Sequence, residues 1–509
     1  MFDSGINAFN RTFHPDEANQ AITTGRLLET GAYAYNPQDH HGPTLYYAAA
    51  TIQKAAGHNS TATLDPTLLR CTPLLFAVLA LLFGTLALRK ITGRIWHGLL
   101  FALLLGTSPI FAFFATDFIQ EMLLAAFTMM MLWAGVGYWH STKPLPPTKI
   151  KPGTWALLFG IAAGLAFATK ETAIITFAAA AIAFLVSRLV FKSRPLPQPE
   201  TRNQKPETPN SKLQTPNSKP SHFILAFAGF ILTATLLYSS FASNWQGVYN
   251  AFIAAPLSYI HRAAGDAASQ GAAAHVHPWW QYLKWLFGTN WRFTAIPLLA
   301  AFVVTFRLRS FLHLYAVALL LIYSLIPYKT PWCALQIVLP LAIAPCVFLP
   351  ICGGARSRVT AALIAIAIGF GATGIYVTNR DPDSKDIPYN YASASPQVKD
   401  LAALIIDKLA STQPATTNHQ PLTTNHSFAA VALPPEDTWP LPFYLRSIKD
   451  KVGYWTQFGE LEALAGLGAK PTVVVVPAEE GHLVQPLFPH LKNTKRFEMR
   501  RRVRVRVFW

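Results

Sequence analysis

Charge is what this 509-residue chain has least of. Asp, Glu, Lys and Arg make up 13% of it, where a soluble globular protein carries about 25%, and hydrophobic residues make up 52%. That balance excludes an ordinary soluble domain and points to a polytopic membrane protein. Acidic side chains are the scarcer kind, 25 Asp and Glu against 42 Lys and Arg, for a net charge of +17. An excess of that size could suit nucleic acid. The cations, however, lie in short loops between apolar runs or at the C-terminal end, so we assign them to topology and to anionic lipid headgroups, with no nucleic-acid partner. Cysteine is also rare: Cys71, Cys333, Cys346 and Cys352 all fall in or beside apolar segments, without metal-ligand spacing and with no disulfide framework. The stretch Met1 to Arg11 is polar and holds neither a signal peptide nor a spanning helix.

Apolar runs are what the chain does have. Segments near Leu68–Leu88, Trp96–Thr116, Gln120–Trp139, Thr154–Thr169, Thr172–Val190, His222–Ala242, Trp291–Phe306, Phe311–Pro327, Cys333–Pro350 and Val359–Val377 are each about long enough for a hydrocarbon core of ~30 Å. The expected fold is therefore mainly α, a transmembrane helix bundle of about 10 spans. Every second loop is basic: Arg89, Lys90 and Arg94; Lys143, Lys149 and Lys151; Arg188 to Lys219; Arg307 and Arg309; Arg356 and Arg358. These loops are cytoplasmic by the positive-inside rule. The opposite face receives residues 1–67, Thr116–Glu121, Thr169–Thr172, the long loop Ser243–Asn290, Tyr328–Trp332 and everything after Val377. An integral, multi-pass protein with its chemistry on the non-cytoplasmic side is the expectation.

Three domains follow: an N-terminal non-cytoplasmic loop at 1–67, the bundle at 68–377, and a small soluble α/β domain at 378–509 on the non-cytoplasmic side. In that last part Asp400–Leu409 reads as helix, Phe428–Leu433 and Pro471–Pro477 read as buried strands, and Glu498–Trp509 alternates basic and apolar residues like an edge strand. Residues 192–221 and 411–427 repeat Thr-Pro-Asn-Ser-Lys and Thr-Thr-Asn-His and read as a disordered cytoplasmic linker and a low-complexity insertion.

The scarce ionisable residues cluster in the outer loops. Phe13-His14-Pro15-Asp16-Glu17-Ala18 carries adjacent carboxylates, which on a helix point about 100° apart. One could take a proton from an acceptor hydroxyl while the other orients it or holds a metal. The same pair also suits the first turn of a helix over Ala18–Leu28. Asp117 and Glu121, four apart at the start of a span, could complete the acidic cluster or simply cap that helix. His40-His41-Gly42-Pro43 could supply a metal ligand or a donor to phosphate; a turn with solvent-facing imidazoles fits it as well. Lys170-Glu171 sits in a very short turn near lipid, where a charge pair is costly unless paired, either with itself or within a site. Lys329 could reach a lipid phosphate or snorkel to the interface. Arg262, His261, His275 and His277 in the long outer loop are further phosphate-binding candidates. Tyr33 and Tyr35 could stack on a sugar or belong to an aromatic belt.

Taken together, HPDEA, LLETGAYAYNPQDHHGPTLYY, FATDFIQEMLLAAF, GLAFATKETAII, PYKTPWC, WPLPFYLR and VGYW resemble the GT-C superfamily of membrane glycosyltransferases. Within it they are most similar to the family related to dolichyl-phosphate-mannose protein mannosyltransferases that is associated with flippase activity in archaeal glycosylation. The resemblance implies a polyprenyl-phosphate sugar donor, membrane lipids around it, and a hydroxyl acceptor on a glycan, lipid or protein. It implies Asp16 as the catalytic base, Glu17 as its motif partner, and Asp117 with Glu121 as a second acidic motif. His40, His41, Lys170, Lys329 and Arg262 are the candidates for the donor phosphate, and Tyr33, Tyr35 and Trp332 for stacking on the substrate. Two departures stand out: the family pattern has a helix before the first outer loop, which leads us to expect one upstream of Met1, and Thr116-Asp117 stands where a small residue followed by Arg is expected.

A glycosyl phosphate has an acidic leaving group, so its departure mainly needs positive charge at the phosphate. Carboxylates then stabilise the cationic sugar, and a base takes the acceptor proton in one inverting displacement. A divalent metal on Asp16, Glu17 and Asp117 is an open alternative. So is a non-catalytic, flippase-associated or transporter-like protein handling lipid-linked saccharides, although that reading predicts ionisable residues in mid-span, whereas here nearly all lie at helix ends.

Overall fold

The computed structural model describes residues 7–38, 41–143, 150–190, 219–263, 275–288, 290–307, 310–349, 355–381, 384, 386–390, 393–411, 427–500 and 503–509. Most of both low-complexity stretches lies outside these residues, as does His40. Apolar helices dominate. Pro66–Thr92, Glu121–Ser141 and Pro220–Tyr238 are long and apolar enough to cross a membrane, and shorter apolar helices pack among them. Pro66–Thr92 begins on an Asp65 cap, whose carboxylate accepts from the Leu68 amide at 2.9 Å, and ends on Gly93 in the left-handed conformation.

Small residues let the helices approach closely. Gly160 in Pro152–Phe167 faces the Pro220–Tyr238 helix so tightly that a Cβ there would sit 1.9 Å from the Ala226 carbonyl oxygen, and Gly229 presses back against Leu157. Backbones meet where side chains would hold them apart, as is usual between helices in lipid.

The segment expected as one span over Trp96–Thr116 is two helices, Ile95–Gly106 and Pro109–Phe114. Pro109 lacks an amide hydrogen and disfavours helical Ser108, so the helix ends and restarts there. The stretch 1–67, expected as an outer loop, contains two well-formed helices of its own, Pro15–Thr30 and Thr44–Ala55, which pack on each other and on the start of Pro66–Thr92.

The C-terminal region is a five-stranded sheet in the order β2-β1-β3-β5-β4, with β1 Ala429–Ala432, β2 Val452–Trp455, β3 Val473–Pro477, β4 Thr494–Arg500 and β5 Val503–Phe508. β1 lies parallel to β2 and β3, while β5 runs antiparallel to both β3 and β4. The all-valine start of β3 suits a strand buried on both faces. One expectation is corrected here. Glu498–Trp509 is not a single edge strand: β5 is internal, and the edges are β2 and β4.

Aromatic packing joins this domain to the N-terminal helices. Phe443, fully buried in the short helix Leu441–Tyr444, stacks on Phe13 at 4.4 Å between ring centres. The Phe13 amide donates to the Tyr444 hydroxyl at 2.9 Å, and Arg446 donates to the Leu64 carbonyl at 2.8 Å. These contacts hold the segment preceding Asp16 from above. We expect Phe443→Ala to cost about 3–5 kcal/mol and to release the C-terminal domain. The check is a lowered thermal midpoint in detergent, together with faster protease cleavage between the bundle and the sheet. An unchanged midpoint would show that the domain is held by other contacts.

Candidate active site

The site begins with one helix terminus. Pro15 pre-sets the first turn of Pro15–Thr30, and His14 caps it, its Nδ1 accepting from the Asp16 amide at 3.1 Å. Glu17 at the third position completes a capping box by accepting from the His14 amide at 3.1 Å. The two adjacent carboxylates then part ways, as residues about 100° apart on a helix must. Glu17 is fully buried; Asp16 keeps 47% of its side chain exposed.

Glu17 is enclosed by donors. Arg70, itself fully buried, meets it in a fork, Nε to Oε1 at 3.0 Å and Nη2 to Oε2 at 2.9 Å. The Phe118 amide donates to Oε1 at 2.9 Å, and Arg11 Nη2 lies 3.5 Å from the same oxygen. Burial alone pushes this carboxyl up, but the two guanidiniums and the amide outweigh it and hold Glu17 well below the usual carboxylate range. Arg11 also donates to Asp117 Oδ1 at 2.6 Å and to the Thr116 carbonyl at 3.0 Å. So where the family pattern has a cation and this chain has Asp117, a guanidinium arrives from the N-terminal segment instead. Burial and the Glu17 charge push Asp117 up, against the pull of Arg11.

Asp16, Glu17, Asp117 and Trp332 line one solvent-open cleft. Arg11, His14, Phe113 and Tyr389 complete its walls, with Asn390 and Ser393. The His14 imidazole meets the Trp332 ring edge-on at 6.2 Å. Among the described residues no three His, Cys, Asp or Glu side chains converge as a metal site. Glu17 does not suit a cation, because Arg70 and Arg11 already take its oxygens.

The second acidic motif is divided. Glu121 turns away from Asp117 and pairs with the buried Lys170 ammonium, which lies 5.7 Å from the centre of the Trp332 ring. Burial works against the Lys170 charge, and Glu121 outweighs it and raises Lys170. Lys170 and Glu171 therefore do not satisfy each other. Glu171 accepts from His41 Nδ1 at 2.9 Å and from the Tyr35 hydroxyl at 2.6 Å. Lys329 is 1% exposed, donates to the Ile326 carbonyl and has no carboxylate partner among the described residues. Burial lowers it. The loop it belongs to pairs with His275–His277, the Lys329 amide donating to the His275 carbonyl at 2.8 Å. Arg262 is in the helix Ala255–Ala263, its side chain and that of His261 outside the description.

The reading of Tyr33 and Tyr35 as a sugar-stacking platform is corrected. They are 2% and 3% exposed, packed on Tyr46 and Tyr238, and spend their hydroxyls on the His41 carbonyl and on Glu171. Arg11 and Arg70 escaped the sequence reading, as did Tyr389 and Tyr259. Arg70 had a visible signal: an ionisable residue within an apolar run has to be paired.

Residues 40–197 match the family model of dolichyl-phosphate-mannose-protein mannosyltransferase. This span contains His41, Asp117, Glu121 and Lys170 and begins after Asp16. Over nearly its whole length the chain superposes on ArnT from Cupriavidus metallidurans bound to undecaprenyl phosphate, with a TM-score of 0.64 and 14% identity, covering 99% of this chain and 96% of that one. The chain has the GT-C glycosyltransferase fold. The apo state of the same ArnT gives 0.60 at 15% identity, covering 98% and 94%. The archaeal oligosaccharyltransferase AglB from Archaeoglobus fulgidus, in complex with an inhibitory peptide and a dolichol-phosphate, gives 0.54 at 13%, covering 92% of this chain and 66% of that one. No curated protein sequence matches the chain.

Removing one partner of the buried Glu17 pair leaves a charge without compensation. We expect Arg70→Met to cost about 3–5 kcal/mol, more than the double variant Arg70→Met/Glu17→Gln, in thermal unfolding of detergent-purified protein. Equal midpoints for the two variants would mean that the pair does not anchor this terminus.

Proposed function

We propose that the protein is a glycosyltransferase that moves a sugar from a polyprenyl-phosphate donor to a hydroxyl acceptor on the non-cytoplasmic face, with Asp16 as general base. The observation that carries this reading is the division of labour at the helix terminus. Glu17 is consumed by two arginines, and its neighbour Asp16 is left half-exposed in an aromatic-walled cleft. The solved structures of the same fold support the donor class, since ArnT is bound to undecaprenyl phosphate and AglB to a dolichol-phosphate. The alternation of basic loops supports the face.

The chemistry is a single displacement. Asp16 accepts the acceptor's hydroxyl proton as the acceptor oxygen bonds to the anomeric carbon. The bond from that carbon to the phosphate oxygen breaks, and the electron pair leaves with the polyprenyl phosphate, so the anomeric configuration inverts. The Asp16 carboxylate also faces the positive charge that develops on the sugar. Trp332, between the cleft and Lys170, offers an aromatic surface to the sugar. Lys170, His41 and Lys329 are the cations assigned to the phosphate.

The test is transfer in proteoliposomes from a panel of radiolabelled polyprenyl-phosphate sugars. Asp16→Asn should lose at least about 100-fold in rate at unchanged expression and thermal midpoint. Equal rates would remove Asp16 from the mechanism. Wild-type protein that binds these lipids yet transfers none of the sugars would favour the non-catalytic reading instead.

A further inference from the structure

Between Lys219 and Arg262 the chain has no Asp, Glu, Lys or Arg. The charge-free stretch runs past the end of the helix Pro220–Tyr238 and into the long outer loop, where a surface in water would carry charge. That part of the loop is helical. Trp245–Tyr249, a π-helical turn over Asn250–Ala254 and Ala255–Ala263 follow one another, with helical dihedrals at Tyr249, Asn250 and Ala255 where they join.

This rod is packed the wrong way round for water. Gly247, Ala251 and Ala255, four apart, are its buried side: a Cβ on Gly247 would sit 2.1 Å from the Tyr238 carbonyl oxygen, and both alanines pack in one cluster with Tyr35, Phe167 and Tyr238. Trp245, Tyr249, Ile253, Leu257 and Ile260 take the outer side, each at least half exposed. Small side chains lie inside and large apolar ones outside, the reverse of what burial away from water rewards. The π turn helps to keep the outer stripe straight. Positions four apart drift by about 40° on an α-helix, and the wider turn at Asn250–Ala254 takes up part of that drift between Tyr249 and Ile253.

The stripe continues the outer side of the helix before it, where Leu232 and Leu236 are exposed, and Phe241 in the connection is exposed too. In that connection Ser240, Phe241 and Ala242 are all left-handed, with φ of 50°, 56° and 72°, a conformation that three non-glycine residues keep only when their surroundings fix it. Ser240 provides the fixing: its Oγ accepts from the Tyr33 amide at 2.8 Å and meets the Tyr47 hydroxyl at 2.7 Å. The inner edge of the rod is tied to the same segment. Asn244 donates to the Tyr33 carbonyl at 3.2 Å, Asn250 donates to the Tyr35 carbonyl at 2.8 Å, and the Tyr259 hydroxyl lies 3.2 Å from His41 Nδ1.

We infer that residues 245–260 form a helix seated in the bilayer surface on the side of the site, with the apolar stripe at the boundary between headgroups and acyl chains. A contiguous apolar stripe of this size marks a partner. Phospholipid is the partner that fits, because the stripe extends the outer side of a helix long and apolar enough to span and presents no charge to a protein surface. Trp245 and Tyr249 suit the headgroup level, and Ile253, Leu257 and Ile260 suit the acyl chains. The bilayer then bears, through Asn250 and Tyr259, on the segment that carries Tyr35 and His41. The inference stands apart from the glycosyltransferase reading.

The test attaches bimane to the full-length protein through Ile253→Cys, Leu257→Cys or Gln246→Cys, in nanodiscs holding one copy each. Wild type taken through the same labelling is the blank, and thermal midpoints confirm folded protein. Gln246 is exposed but lies off the stripe. Phosphatidylcholine brominated high on its acyl chains should quench the labels at 253 and 257 at least about twofold more than the label at 246, as befits side chains about 5–10 Å into the boundary. Aqueous iodide should give the reverse order. Iodide reaching all three positions equally would overturn the inference, since the stripe would then lie in water. Protection from iodide without quenching by the brominated lipid would overturn it in favour of a protein cover. Lipid quenching that a trace of undecaprenyl phosphate abolishes would overturn it in favour of the isoprenoid chain of one bound lipid. None of these results bears on sugar transfer, which the proteoliposome assay reads separately.

Discussion

One buried carboxylate holds the site end of this molecule together. Glu17 is reached by Arg11 from the N-terminal segment, Arg70 from the first long helix, the Phe118 amide from the second outer loop and the His14 amide from its own helix terminus. Three pieces of chain that are distant in sequence are fixed to one point. Burying such a charge carries a large desolvation cost, so the arrangement is stable only with all of its donors in place. Arg70 also passes over the Phe13 ring at 4.3 Å, and Phe13 stacks on Phe443 of the C-terminal domain. The ionic point thus extends into the aromatic contact that carries the C-terminal domain. Geometry is the return for that cost: Asp16, one residue earlier, has its direction set by a helix turn whose other side cannot move.

The same device recurs wherever this chain puts ionisable residues side by side. Lys170 and Glu171 are neighbours that face different partners, Glu121 and His41. Asp117 and Glu121, four residues apart, are split between Arg11 and Lys170. In each case a locked member lies next to one that borders the cleft or the exposed imidazole. Near lipid a charge can be kept only if it is paired, and pairing across loops rather than along the chain makes every pair a cross-link as well. That explains why the paired charges of this site join separate loops.

Much of the helical framework was legible because the hydrocarbon interior imposes a simple rule on composition, and the apolar runs from Leu68 to Val377 correspond to helices in order. What the runs could not show was their interruption: the break at Ser108-Pro109 turns on one proline within an otherwise uniform run. In the site, residue identity was legible and direction was not. Asp16 and Glu17 read as a catalytic pair or as a helix terminus; the structure shows the helix terminus, whose capping box takes Glu17 and leaves Asp16 on the cleft. Tyr33 and Tyr35 read as a sugar-stacking platform or an aromatic belt because no local pattern shows that Tyr46 and Tyr238 will cover them. The alternation Arg504-Val505-Arg506-Val507 suits an edge strand, but β5 is internal, since Val505 and Val507 are buried in the sheet core while Arg506 is covered in part by the segment at Gly481. A period of two reveals which face is buried and says nothing about how many neighbours a strand has.

The distribution of charge across the site bears on which step the protein can assist. Around the Asp16 cleft, the two guanidiniums of Arg11 and Arg70 are spent on the buried carboxyl groups of Glu17 and Asp117. Beyond Trp332 the balance differs. Lys170 has one carboxylate, His41 has one, and among the described residues Lys329 is buried with only a backbone carbonyl to receive it. A buried ammonium with no counter-charge is lowered by desolvation, and an anion placed beside it offsets that cost. On the proposed reading, the side with spare positive charge suits the donor phosphate, and the side with the exposed carboxylate suits the acceptor proton and the cationic sugar. Trp332 borders both, lining the cleft on one side and meeting the Lys170 ammonium.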